Sequence, residues 1–413
     1  MNMNFDNINK NAVKVLRILE NHGFQAYIVG GAVRDILMKI PPHDYDVCTD
    51  ALPGDIKNIF NNLGYRTVLV GEKYGTVQVL LNGESFEVTT FRTDNEYTDG
   101  RHPESVNFSK DIADDLKRRD FTVNALACFV DGKGEIKIID FFGGQPDIEN
   151  KIIRAVGDPR ERFSEDALRM MRAVRFSAQL GFEIDPGTKS AIRGLAENIT
   201  VVSKERITVE IEKILLSDNP EKFFDLLDLN LLGYIMPNFK IERNDGKINK
   251  IKFFNKDFCL RFAALLDICS NDADVLKNLR LKNDDKKNIK NILHDINIIK
   301  IFDFQMSKKL LKQIMRDFGL YAAQSMLQIM KIIYDIDDFD RLREIESKNE
   351  PYKLGDLKIS GVDIIKIDGE ISGRNIGAIL TECLSQVIED PEKNTREFLI
   401  DYAEKYYKHK INL

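Results

Sequence analysis

No run of 18 apolar residues occurs in this sequence of 413 residues, so a membrane-spanning helix of ordinary length is not expected. The opening Met1-Asn2-Met3-Asn4-Phe5-Asp6 lacks the basic and apolar regions of a secretion signal. Cysteine is sparse. Cys48, Cys128, Cys259, Cys269 and Cys383 stand apart with no Cys-x-x-Cys spacing. Neither disulfides nor a zinc site is expected, and reduced thiols point to the cytoplasm. Histidine is also scarce, at five residues. His294-Asp295 has the form of a metal phosphohydrolase dipeptide, but that chemistry needs further ligands, and no other histidine lies near it upstream. It reads as a helix-surface pair. A basic excess is missing too. The net charge of −6 argues against nucleic acid unless basic residues gather on one face. There is no internal repeat and no low-complexity segment.

What is present suits a globular protein of two to four domains, with 43% apolar and 31% charged residues. Ala26–Val29 is a short apolar run with strand character, broken by Gly30-Gly31. Val33, Ile36 and Leu37 then fall at helical spacing, with Arg34 and Asp35 on another face. A helix opened by glycines offers unpaired N–H groups to a phosphate and lets it approach the backbone. The same pattern also describes an ordinary tight turn. Asp44-Tyr45-Asp46 follows. On a strand the two acids would share a face, where they repel unless a cation such as Mg²⁺ lies between them. After Pro41-Pro42 they could equally be a solvated turn.

Arg118-Arg119-Asp120 supplies guanidinium groups suited to phosphates, or an exposed helix start with a capping Asp. Phe121, Val123, Ala125 and Leu126 tie this segment to the core. Asp166 and Arg169, at i and i+3, would share one helix face, in the plainest reading as an ion pair. Ser85–Arg92 alternates like a strand around Glu87, and Arg92–Pro103 is polar and aperiodic, a loop beside the site. Lysines cluster at 247, 250, 252 and 256, at 282, 286, 287 and 290, at 308, 309 and 312, and at 405, 408 and 410. Each cluster is a solvated helix face unless it meets phosphates. Strands are expected near 26–29, 67–70, 76–81, 85–91 and 136–140, after a helix near 11–19. From about Asp158 the periodicity is helical.

Five segments in order carry a family resemblance. Gly30-Gly31-Ala32-Val33-Arg34-Asp35 with Asp44-Tyr45-Asp46 and Thr49 resembles motif A of the class II tRNA nucleotidyltransferases, the CCA-adding enzymes of the polymerase-beta-like superfamily. Arg118–Ala125 resembles motif B, Gly157–Phe163 motif C, Glu165–Arg169 motif D, and Ser203–Ile207 with Glu210 motif E. The resemblance implies an α/β N-terminal nucleotidyltransferase head (1–147) followed by an all-α neck (148–215), body (216–320) and tail (321–413). It implies addition of C, C and A to tRNA from CTP and ATP, with Asp44 and Asp46 holding two Mg²⁺ ions. Glu87 is the candidate third carboxylate. Gly30, Gly31, Arg34 and Arg119 would hold the triphosphate. Asp120, Asn124, Asp166, Arg169, Arg172 and Arg175 would face base and ribose. Within that set, Asp166 and Arg169 would read the Watson–Crick edge. Asp99 and Arg101 would belong to a flexible loop that aids the switch from C to A. His102 departs from the arginine expected there. No membrane partner is implied, and the oligomeric state is open. Enzymes adding only CC or only A share these motifs. Poly(A) polymerases share A and B, although Gly71–Val77 looks like the CCA-adding form. A non-catalytic RNA-binding protein is the most distant alternative.

Overall fold

A computed structural model describes residues 8–69, 74–94, 106–241, 245–368, 371 and 373–411. The expectations for Asp99, Arg101, His102 and Gly71–Lys73 lie outside the described residues. The chain divides into two compact units. One is Met1–Phe239 with Asn278–Arg280, and the other is Lys240–Lys277 with Leu281–Leu413. The division falls inside the stretch expected as the body.

The first unit is built on β1 (Ala26–Val29), β2 (Asp46–Thr49), β3 (Arg66–Leu69), β4 (Thr76–Leu81), β5 (Glu84–Thr90), β6 (Arg92–Asp94), β7 (Val106–Phe108), β8 (Leu126–Val130) and β9 (Ile136–Asp140). Seven of them form one sheet in the order β3-β4-β5-β2-β1-β8-β9. Its pairings are antiparallel except β2 with β5, which run parallel. Helices α1 (Lys10–Asn21), α2 (Gly31–Leu37) and α3 (Pro53–Asn62) cover one face, and α4 (Ile112–Lys117) covers part of the other. The strands alternate accordingly. Ile28, Val47, Leu126 and Cys128 join the core with Leu16, Val33, Ile36 and Phe60. Their neighbours Val29, Cys48 and Ala127 pack with Ile112 and Leu116.

β1, β4 and β9 lie where the sequence places them. The central strand β8 was not expected as a strand, because it is apolar at every position. A strand buried on both faces shows no alternation. Arg92–Asp94, expected as loop, is instead β6 and pairs antiparallel with β7. The ladder spends the backbone hydrogen bonds of a stretch whose side chains are polar.

After α5 (Gly144–Glu149) come β10 (Ile152–Ile153) and β11 (Glu183–Ile184), a short parallel pair. The rest of this unit is largely helical, with α6 (Pro159–Glu165), α7 (Leu168–Leu180), α8 (Pro186–Leu195) and α9 (Lys204–Leu215). Asp158 caps α6 and Ser203 caps α9 through their side chains.

The second unit is helical. Every residue of its helix Phe258–Ile268 is buried. Two expectations fail here. His294 is exposed and packs against Phe318 in a tilted arrangement, with ring centroids 4.7 Å apart. Its neighbour Asp295 is fully buried, with neither carboxylate oxygen hydrogen-bonded among the described residues. The dipeptide is therefore not a surface pair: one helix residue on, the side chain turns into the core. The lysines at 308–312 are not a solvated face either. Lys312 is 1% exposed, pairs with Glu350 at 2.6 Å and donates to the Ile388 carbonyl. Lys308 and Lys309 pair with Glu344 and Glu389.

Candidate active site

The first unit holds a cleft of about 540 Å³. Seven arginines and four acids line it, so a chain of net negative charge presents a positive hollow. Its parts come from seven stretches of sequence, from Gly30 to Arg206, that the sheet and the helices after it bring together.

The β1–α2 turn comes first. Gly30 has φ +74° and caps α2, and a Cβ there would sit 2.7 Å from Arg119 Nη1. Only glycine leaves room for that guanidinium. Arg34 is fixed from two sides. Its Nε and Nη2 donate to Asp35 Oδ1 at 2.9 and 2.7 Å, and its Nη1 donates to Asn124 Oδ1 at 2.7 Å.

The acids follow. Parallel pairing of β2 and β5 sets Asp46 opposite Glu87, and both line the cleft. Asp46 keeps solvent contact, yet partial desolvation by the cleft walls raises its carboxyl above its ordinary value, Arg119 opposes this, and Asp44 adds to it. Glu87 is exposed as well, and partial desolvation raises its carboxyl, followed by the negative charges of Asp46 and Asp44. A carboxylate such as Glu87, raised by the negative charge of neighbouring acids, belongs to the kind of donor set a hard divalent cation relieves. Asp44 departs from its expected place. It precedes β2 rather than lying on it, is exposed, and pairs with His43 Nδ1 at 2.9 Å. The strand begins two residues too late for the i, i+2 argument to apply. Among the described residues no three His, Cys, Asp or Glu side chains are grouped to hold a metal.

Motif B lies between two elements. Arg118 and Arg119 follow the end of α4 rather than starting a helix, and both line the cleft. Asp120 is buried and collects three partners. Its Oδ1 accepts from the Phe121 N–H and Asn124 Nδ2, and its Oδ2 accepts Arg172 Nε at 2.7 Å. Burial alone would raise this carboxyl, but the Arg172 guanidinium wins and holds it below its ordinary value. A continuous chain thus runs Asp35–Arg34–Asn124–Asp120–Arg172.

Motif D corrects an expectation. Asp166 and Arg169 do not share a helix face. Asp166 has extended backbone at the end of α6, and α7 begins at Leu168. Its Oδ1 accepts the Leu168 N–H at 3.0 Å, and its Oδ2 accepts Arg206 Nη2 at 2.8 Å. Arg169 pairs instead with Glu165 at 2.5 Å and donates to the carbonyls of Arg162 and Arg118. These bonds leave N–H donors over. Both side chains line the cleft.

Arg175, expected to face the nucleotide, does not line the cleft. It is buried beside Glu210 at 3.0 Å, with its guanidinium 4.1 Å from the Phe176 ring centroid. Arg172 and Arg34 also approach that ring, at 5.4 and 5.8 Å. Phe176, Arg206, Arg92, Thr76 and Thr89 line the cleft without having been singled out as site residues. Motif E contains Arg206, so the sequence signal was there. The threonines carried none, since they sit in ordinary strands. Their hydroxyls bond each other at 3.1 Å.

Comparison with known proteins identifies the family. Residues 26–154 match the poly A polymerase head domain, 181–242 the RNA and SrmB-binding site of polymerase A, and 260–403 the tRNA nucleotidyltransferase domain 2. The class is thus a polymerase-type nucleotidyltransferase with helical domains following its head. The CCA-adding enzyme of Ligilactobacillus salivarius is 37% identical, over 97% of this chain and 98% of that one. That of Leuconostoc citreum is 34% identical, over 95% of each. The structure of the Bacillus stearothermophilus CCA-adding enzyme in complex with CTP superposes with a TM-score of 0.81 at 32% identity, covering 97% of this chain and 98% of that one. The chain belongs to the CCA-adding enzymes, tRNA nucleotidyltransferases that complete the tRNA 3′ end. Nucleotidyltransferases of this kind generally use divalent metal ions. Among the described residues no helix is long and apolar enough to cross a membrane.

Proposed function

We propose that this cleft transfers CMP twice and AMP once to the tRNA 3′ end, with the roles divided along its length. The observation that carries this reading is the presence of Asp46 opposite Glu87 in the same cleft as Asp166, Arg169 and Arg172. Asp46 and Glu87 offer the chemistry of phosphoryl transfer, and Asp166, Arg169 and Arg172 the donors and acceptors of base reading. The tRNA 3′-hydroxyl attacks the α-phosphate, and pyrophosphate leaves. Asp46 and Glu87 would hold Mg²⁺, and Asp44, on the exposed segment before β2, is a further donor for a second ion. Bound there, the cation supplies a lowered hydroxyl pKa and neutralises phosphate charge. Gly30, Gly31, Arg34, Arg118 and Arg119 receive the triphosphate. Asp120 and Asn124 lie where they brace Arg34 and Arg172, with the ribose beside them.

Cytosine and adenine each carry an exocyclic amine next to a ring acceptor, whereas uracil and guanine present a carbonyl there. Asp166 accepts the amine and Arg169 donates to the acceptor. Arg206 anchors Asp166 without using all of its lone pairs. Head 1–147, neck 148–215, body 216–320 and tail 321–413 remain our proposed domain limits. For tRNA, the stripe of Lys282, Lys287 and Lys290 is favoured. These side chains are exposed and have no ion pair among the described residues, unlike Lys308, Lys309 and Lys312.

The test offers a tRNA transcript lacking its 3′ CCA to the enzyme with Mg²⁺, adding CTP, ATP, UTP and GTP singly and then CTP with ATP. Two residues from CTP, and a third only once ATP is present, are expected. Stopping at CC, adding A alone to a CC end, or building long A tracts would each replace the reading with a partial enzyme or a poly(A) polymerase.

A further inference from the structure

Beneath the two motif B arginines lies a carboxylate that does not line the cleft. We infer that Asp115 is the positioning residue that holds Arg118 and Arg119 ready for the triphosphate and so sets nucleotide affinity without touching the nucleotide. This rests on the reading that those arginines receive the triphosphate.

Asp115 lies on α4 and is fully buried. The spacings i+3 and i+4 bring both arginines within its reach. Arg118 donates to Oδ1 through Nε at 3.0 Å and Nη2 at 2.7 Å, and Arg119 Nη2 donates to Oδ2 at 3.2 Å. Cys48, which itself lines the cleft, lies with Sγ 3.5 Å from Oδ2. Burial would raise the Asp115 carboxyl, but the two guanidiniums outweigh it and keep it ionised. The arginine side chains remain about one-fifth exposed, at 20% and 18%, on the side that lines the cleft.

The arrangement has a physical purpose. Two adjacent guanidiniums repel each other, and each is a long, flexible side chain. A shared buried anion offsets the repulsion and orders both before nucleotide arrives, so binding does not have to order them. The glycine at position 30 leaves the space Arg119 occupies in that pose. Because the triphosphate is common to CTP and ATP, Asp115 should act equally on both and leave base choice alone.

The test is Asp115→Asn in the full chain, an isosteric change that removes the charge. KM for CTP, ATP and tRNA, base selectivity, and inhibition by inorganic tripolyphosphate are measured, with circular dichroism and Tm as the fold control. Both nucleotide KM values should rise on the order of tenfold, the worth of a charge-assisted hydrogen bond. Tripolyphosphate inhibition should weaken by the same factor, and the tRNA KM and base choice should not move. A folded variant with unchanged nucleotide KM overturns the inference, as does one in which tRNA KM and base choice shift alongside. Arg119→Ala separates two failures. If it raises nucleotide KM and Asp115→Asn does not, only the positioning role falls. If Arg119→Ala leaves nucleotide KM unchanged, the reading of the cleft falls and takes this inference with it. Should Asp115→Asn not fold, arginine ¹⁵Nε NMR of the wild-type enzyme decides. A slowly exchanging Arg118 Nε–H without nucleotide supports the clamp, and one exchanging like a solvated guanidinium overturns it.

Discussion

The two units bury charge in different ways. In the first, the buried acids Asp115, Asp120 and Glu210 each sit against arginine, and two of these clusters open onto the cleft. In the second, Lys312 and Glu350 form a matched buried pair, while Asp295 is buried with no partner among the described residues. Burial pushes the Asp295 carboxyl up to about 8, helped by the negative charge of Asp317. The difference teaches what a buried acid is for. Matched to guanidinium, as Asp115 and Asp120 are, it stays ionised and holds a cation in a fixed pose at a working surface. Unmatched, it takes up a proton and becomes a liability of packing.

The largest expected effect strikes the working end of that contrast. Asp46→Ala should cut kcat on the order of a thousandfold, with Tm and circular dichroism close to wild type. Near wild-type turnover in single-nucleotide addition would remove Asp46 from the chemistry. Next comes a matched pair broken from one side. Glu210→Ala leaves the Arg175 guanidinium buried without its anion and should cost about 3 kcal/mol in urea unfolding. A loss within error would mean that the pair is not structural.

The unmatched acid should behave in the opposite sense. The folded-state pKa of Asp295 is raised, so its contribution to stability is complete below its ordinary value of 3.8 and is lost as pH climbs to about 8. Asp295→Asn should flatten this fall and add about 1 kcal/mol near pH 8. Parallel wild-type and variant curves across that range would refute it. The smallest effect belongs to the surface. Lys282→Ala with Lys290→Ala should raise the tRNA KM a few-fold and reduce its salt dependence by one to two phosphate contacts, about 0.7 to 0.9 in log–log slope for each. Lys309→Ala, already paired with Glu389, should do neither.

Much of the head was legible before folding. Strand, glycine turn and helix at 26–37 follow from local apolar spacing and from residues that break it. Glu87 was named from an alternating strand together with the family resemblance, and the structure sets it opposite Asp46. Other assignments failed for definite reasons. Asp44 lay off the strand because β1 ends at Val29, opposite Asp46, where the chain turns at Gly30. Asp166 and Arg169 were placed on one face because their spacing is helical, yet a helix break passes between them. Arg175 has the same residue type and helix as Arg172 but turns to Glu210 instead of the cleft.

What the sequence by itself determined is local: which segments are strand or helix, where glycine must stand, and which five motifs name the family. Local backbone preference and side-chain chemistry suffice for these, and neither depends on distant residues. The tertiary structure alone decided which charges meet. Arg206 reaches Asp166 across 40 residues, Asn124 reaches Arg34 across 90, and Asp295 meets no partner among the described residues. Those outcomes depend on how sheet and helices pack, and a charge's worth depends on the partner and burial that the packing provides.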